Sequence, residues 1–347
     1  MGVGTSLDSA QRRHSVLGVP IAVFYKFVDD QGPYLAAIIS FYALLAIFPL
    51  LLLATSIFGF VLQGNPDLQA QVLDSTLATF PIIGEELGRP NGLQGSTAGV
   101  VVGSLAALYG SLGLATALQN ALNVAWSVPR NSRPNPIALR LKSLLLMTAT
   151  GLFVMAITIL SLFVSETNTL GTDNDPYVLW LTRLANVMLT GLLLTVVFRF
   201  AAARRHHIGR AAPGAFTVAV LWLVLQLTGV WYTEQVLAGT EGMDATFGLV
   251  LGLIGLIYFA AFIGVIGIEV NVVLERRLWP RALMTLFTDK VALTDADRRA
   301  YASYAWAQQH KVHENVEVTF TDPDTGEVHV PEEPVRHRRG RRRSQPS

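Results

Sequence analysis

The sequence predicts an all-α membrane protein: a bundle of six transmembrane helices followed by a mixed cytoplasmic C-terminal tail. Three observations lead there. Hydrophobic residues make up 51% of the 347 residues and charged residues 15%, against roughly 25% charged in an ordinary soluble domain. The apolar residues are clumped, so that Gln31–Pro66, Pro90–Pro129 and Ser143–Ser165 hold no Asp, Glu, Lys or Arg. About 20 apolar residues suffice to cross the hydrocarbon core of a bilayer. Finally, the basic residues gather on alternate connections between these runs.

The elements follow in order. Residues 1–33 form a cytoplasmic N-terminal segment; they contain no uninterrupted apolar stretch of the kind a cleavable signal peptide needs. Spans are expected at about 34–62, 98–118, 142–164, 178–202, 211–232 and 246–274, making residues 34–277 the membrane domain. The second span is open to continuing as helix to Trp126. The fourth carries Arg183 and Arg199 near its ends, where long basic side chains reach the interface while their stems lie along lipid. Between the first two spans, Asn65–Leu87 repeats Leu68, Val72, Leu73, Leu77 and Phe80 at helical spacing. It is too polar to cross and suits the membrane surface. The tail, 281–347, holds a helix after Thr294 with Asp297 at the capping-box position. A hairpin over Val316–Phe320 and Val328–Val330 follows, then a basic, disordered stretch after 331.

Six spans put both termini on one side. Sorting the 26 Lys and Arg accordingly leaves only Arg89 and Arg183 on the opposite side, and the positive-inside rule makes the crowded side cytoplasmic. The chain has no cysteine, which excludes disulfides, thiolate metal sites and cysteine nucleophiles. It also lacks the GxxxxGK[ST] phosphate loop, so nothing points to ATP-driven work in this chain. No cofactor and no metal are expected; His310 and His313 have helical metal spacing without a supporting ligand set.

Ordered motifs carry a family resemblance. The first span has Ser40, Phe41, Tyr42, Ala43, Leu44, then Phe48 and Pro49; the second ends with Asn123 in ALQNALNVAW. The fifth starts with Gly214–Ala215, followed by Trp222 and Tyr232, and the sixth ends with Gly267, Glu269, Asn271, Glu275 and Arg276. Over about Lys26 to Arg277 this set resembles the YihY/BrkB family, once labelled ribonuclease BN. One departure is Phe247–Gly248, where the family often has Tyr-Gly. The resemblance implies a six-span inner- or plasma-membrane protein of a family linked to envelope lipid handling and serum resistance.

Several residues are candidates for function. Pro49 removes a backbone hydrogen bond in mid-span, either to expose a polar group to a substrate path or as a packing kink. Glu269 is the only carboxylate inside a clear span. It suits a cation, proton or head-group site, or an ion pair with Arg199 or an arginine of the fourth-to-fifth connection. Asn271, two residues on, points about 200° away. Asn120 and Asn123, with Gln119 beside them, face one way; with Ser40, Tyr42, Asn186 and Gln226 they line a polar cavity or bond between helices. Small residues such as Gly99, Gly103 and Ala107 mark close helix packing. Arg204, Arg205, His206, His207 and Arg210 either contact anionic lipid head groups or set topology.

These features make a transporter, flippase or envelope-biogenesis factor for a lipid-like or amphipathic substrate the expected function. A membrane scaffold with a basic recruiting tail is the alternative. A ribonuclease is disfavoured, because the loops carry no acid cluster beside His206–His207. The expected partners are membrane lipids and, as a further option, a second copy of the chain. No specific nucleic acid is expected, since the RHRRGRRR tail lacks interleaved aromatics for base stacking.

Overall fold

A computed structural model describes residues 11, 15–62, 97–133, 176–201, 208–232, 243–285, 288, 291–311, 313–321 and 326–331. Long apolar runs without proline or glycine clusters propagate as helix, and the described residues hold seven: α1 Ser15–Asp29, α2 Gly32–Leu62, α3 Thr97–Ala125, α4 Pro176–Ala201, α5 Ile208–Tyr232, α6 Met243–Arg276 and α7 Asp295–Ala307. Two short strands, β1 Phe320–Thr321 and β2 Val328–His329, pair antiparallel with Phe320 opposite His329.

Five helices fall where spans 1, 2, 4, 5 and 6 are expected, and α3 runs on to Ala125. By length and composition, Val100–Ala125, Ala211–Gly229 and Val250–Arg276 are fit to cross a membrane, and the bent pair Val16–Asp29 and Gly32–Ile47 passes together. Helix α4, with Arg183 and Arg199, is not among these candidates. The third span, the amphipathic stretch Asn65–Leu87 and the tail after 331 lie outside the described residues.

The chain divides into two compact units: Phe27–Asn123 with Pro134–Asn271, and Met1–Lys26 with Val124–Arg133 and Val272–Ser347. The first is inside-out by the standard of a water-soluble protein. Its buried apolar residues are mostly small, among them Ala36, Ala46, Ala107, Ala121, Ala215 and Ala219. Its large ones stand outside: Tyr34, Ile38, Phe41 and Leu45 on α2, Trp180, Leu184 and Met188 on α4, Phe247, Leu251 and Ile254 on α6. A water-soluble monomer rarely exposes so much contiguous apolar surface; in a membrane, small residues draw helices together and large ones face lipid. Arg183 lies over the Trp180 ring at 5.3 Å on the same outer stretch, a cation held by an aromatic as in an interfacial belt.

Close approaches set this packing. A methyl at Gly113 of α3 would sit 2.2 Å from the Tyr42 ring of α2. A methyl at Gly214 of α5 would lie 2.0 Å from the Gly267 carbonyl oxygen of α6. Only glycine leaves room for the Tyr42 ring in the first case and for the neighbouring backbone in the second.

The second unit is the larger surprise. The N-terminal segment carries a helix, α1, not foreseen in the sequence, and it packs with the C-terminal tail. Tyr25 donates its hydroxyl to the Leu283 carbonyl, and Gln11 donates to the Arg281 carbonyl. Lys26, fully buried, lies 5.1 Å from the Tyr304 ring centre. Arg281 and Asp297 form a fully buried ion pair with Nε to Oδ1 at 2.5 Å. The guanidinium sits over the rings of Tyr25 (5.8 Å) and Tyr301 (5.3 Å). The expected cap is present: Thr294 accepts from the Asp297 amide at 3.1 Å, and Asp297 accepts from the Thr294 amide at 2.9 Å. Helix α6 stops at Arg277, whose φ of 51° turns the chain left-handed; the Leu278 amide then donates to the Val273 carbonyl at 3.0 Å, a Schellman closure.

Candidate functional site

Among the described residues of the membrane-type unit, the buried polar side chains are Asp30 just after α1, Gln119 and Asn123 at the end of α3, Thr195 on α4, and Glu269 and Asn271 on α6. Glu269 is 0% exposed. It lies within the candidate span Val250–Arg276, seven residues and roughly 10 Å of helix from Arg276. Asn271 is buried too, and its partner is specific: its Oδ1 accepts the Gly214 amide at 2.8 Å. Gly214 directly follows Pro213, which lacks an N–H and distorts the turn before it. A side chain from α6 thus enters the hydrogen-bond ladder of α5 at its proline notch. With Asn271 committed there and Glu269 two residues earlier, the carboxylate points to a different side of α6. The two residues therefore form neighbouring sites, not one.

On α3 the expectation that Asn120 and Asn123 face alike is corrected. Asn123 is buried and Asn120 is exposed, while Gln119 is buried. Three residues leave a 60° offset, enough to cross the edge of a narrow buried stripe, whereas 119 and 123 keep to it at the i, i+4 spacing. Gln119 is accordingly the residue the sequence reading under-weighted. Asn186 and Gln226 are exposed, and Asn186 accepts a hydrogen bond from Thr190 at 3.2 Å on its own helix.

On α2, Ser40 is half-buried and its hydroxyl donates back to the Ala37 carbonyl at 2.9 Å. Tyr42 is half-buried with its ring against Gly113. Pro49 lies inside the continuous helix α2. Arg210 belongs to α5; Arg204, Arg205, His206 and His207 lie outside the described residues. Among the described residues, no group of three or more His, Asp or Glu is placed to hold a metal ion.

The comparisons bear on this arrangement. The sequence profile of the family described as Virulence factor BrkB matches residues 23–284. The chain belongs to that family. The match takes in α2 through α6, with Ser40, Tyr42, Asn123, Gly214, Glu269 and Asn271. It continues to residue 284, past the buried Arg281. No curated protein and no solved structure matches the chain. The BrkB-family membership, the apolar helices and their outward large side chains together make this an all-α, multi-pass membrane protein.

Proposed function

We propose that this BrkB-family chain is a six-span plasma-membrane transporter, flippase or envelope-biogenesis factor acting on a lipid-like or amphipathic substrate, with no hydrolytic chemistry of its own. The observation that carries the reading is Glu269. A carboxylate wholly buried within a candidate span is costly to keep and marks a functional site by default. In this reading it meets the cationic or hydroxylic part of a substrate, or a coupling cation or proton, while Asn271 and Gly214 hold α5 and α6 in register. Membrane lipids are the partners.

Topology supports the six spans. Residues 11–26, 124–133 and the segment after 272 fold into one compact unit, as the Gln11–Arg281 and Tyr25–Leu283 bonds illustrate. In this reading the three stretches share one side of the membrane, so that the chain crosses an even number of times between them. Helices α2 and α3 supply the first pair. Between Arg133 and Val272, helices α4, α5 and α6 require a fourth crossing, for which the charge-free run Ser143–Ser165 is suited. The basic excess on the shared side makes it cytoplasmic.

The test is Glu269→Gln in cells, at matched protein level, read as export or surface display of envelope lipid. The expected result is loss of function with unchanged membrane insertion. Full function in that variant would remove Glu269 from the mechanism and with it the reading's main support.

A further inference from the structure

Within the unit formed by the chain's two ends and the Val124–Arg133 loop, two turns lie side by side. One is the 3₁₀ turn Arg130–Ser132 after α3; the other brings His310, Lys311 and Glu314 together after α7. Asn131 joins them: its amide donates to the Gln309 carbonyl at 3.1 Å and its side chain to the Lys311 carbonyl at 3.1 Å. Arg130 and Arg133 flank Asn131 on the first turn, with Arg133 Nε on the Val128 carbonyl at 3.3 Å, and His310 and Lys311 stand on the second. Burial first, and the neighbouring Arg130 second, pull the Arg133 pKa below its ordinary value, so two like charges are held close on a partly desolvated loop. An anion already occupies part of this place. The Glu314 carboxylate accepts the His310 amide at 2.6 Å and the Lys311 amide at 3.0 Å through the same oxygen. Two successive amides converging on one oxygen are an anion nest. Here the chain's own carboxylate fills it, with its pKa lowered first by the Lys311 amide, then by that of His310.

The location decides which anion competes. Arg130 comes five residues, at most about 17 Å of chain, after the end of the candidate span Val100–Ala125. Within the same unit, Trp126 at that end accepts a hydrogen bond from Arg276, the last residue of the candidate span Val250–Arg276, at 2.5 Å. The Arg276 guanidinium lies 5.8 Å from the Trp126 ring centre. Two span ends thus meet at a Trp–Arg pair, the side-chain types that settle at the head-group level. We propose that Arg130, Arg133 and the His310–Lys311 amide nest form a binding site for the phosphate of an anionic phospholipid head group, and that Glu314 is its built-in competitor. Lipid phosphate replaces the carboxylate on the two amides, while the arginines neutralise its charge. The proposal goes beyond the transport reading and does not depend on Glu269.

The test uses the full chain in mixed detergent micelles of phosphatidylcholine and phosphatidylglycerol, with retained lipid counted by native mass spectrometry. Arg130→Gln/Arg133→Gln is expected to lose phosphatidylglycerol preference by about fivefold per charge removed, and Arg130→Lys/Arg133→Lys to keep it. Glu314→Gln is expected to raise retention several-fold, while Glu317→Gln, an exposed acid outside the nest, leaves it unchanged. Equal retention in wild type and the Gln pair overturns the site. Should that pair fail to fold, the two acid variants decide: an equal effect of Glu314→Gln and Glu317→Gln overturns the nest. Inorganic phosphate displacing the lipid at equal concentration would assign the site to a soluble anion and overturn the lipid reading.

Discussion

The Asp297 carboxylate joins three places in the chain: it takes Arg281 Nε at 2.5 Å, the Ala282 amide at 3.0 Å and the Thr294 amide at 2.9 Å. Its capping role was legible in the sequence, because a cap is local: Thr294 and Asp297 stand three apart before a helical stretch. Its pairing with Arg281 was not legible. Nothing within sixteen residues of sequence distinguishes Arg281 from the other basic residues that mark the cytoplasmic side, and only the approach of Tyr25 and Tyr301 explains why that one is buried. Removing one partner of a buried pair strands the other charge and costs about 3–5 kcal/mol. Asp297→Ala is therefore expected to loosen the whole terminal unit. Limited proteolysis should cut between Arg281 and Ala307 much faster than in wild type, and an unchanged digestion pattern would show that the pair contributes little.

Helices were easier to read than the contacts between them. Apolar runs are contiguous in sequence, so α2, α5 and α6 appear within a few residues of their expected limits, and α3 ends at Ala125, next to the Trp126 to which its helix was open to continue. Helix α1 was missed because Pro20, Lys26 and Asp29 interrupt it, giving too short an apolar stretch for a span; its partners are distant in sequence, Leu283 for Tyr25 and Phe262 for Phe27. The α5–α6 contact has the same character. Asn271 and Gly214 are 57 residues apart, and their partnership follows from the proline notch plus the room left by two glycines. Gly214→Ala would drive a methyl into the Gly267 carbonyl, a crowding that costs about 1–3 kcal/mol. Asn271→Ala would leave the Gly214 amide without its acceptor inside the protein, again about 1–3 kcal/mol. Both should lower the unfolding temperature in detergent. Gly209→Ala, on the same helix with open space around it, should be neutral or slightly stabilising. Equal behaviour of all three variants would contradict a specific α5–α6 seam.

At the scale of the whole molecule, topology links the sequence pattern to the fold. The basic residues sort to one side once six spans are assumed, and the compact terminal unit, which joins residues 11–26, 124–133 and the segment after 272, agrees with that assumption. What neither supplies directly is the crossing between Arg133 and Pro176, and parity is the reason to expect it. The absence of cysteine from the natural chain makes the experiment clean, since single cysteines report without background. Glu86→Cys and Asp173→Cys, between the first and second and between the third and fourth expected spans, should react with a membrane-impermeant maleimide on intact cells. Ser132→Cys and Glu317→Cys, both exposed in the terminal unit, should react only after the membrane is opened. A four-span chain, with neither Ser143–Ser165 nor α4 crossing, would leave Asp173 on the same side as Ser132, and the two cysteines would then label together. Opposite labelling of Asp173→Cys and Ser132→Cys therefore counts the crossings between Arg133 and Pro176 as odd, which supplies the third span and, with α4, α5 and α6, brings the total to six.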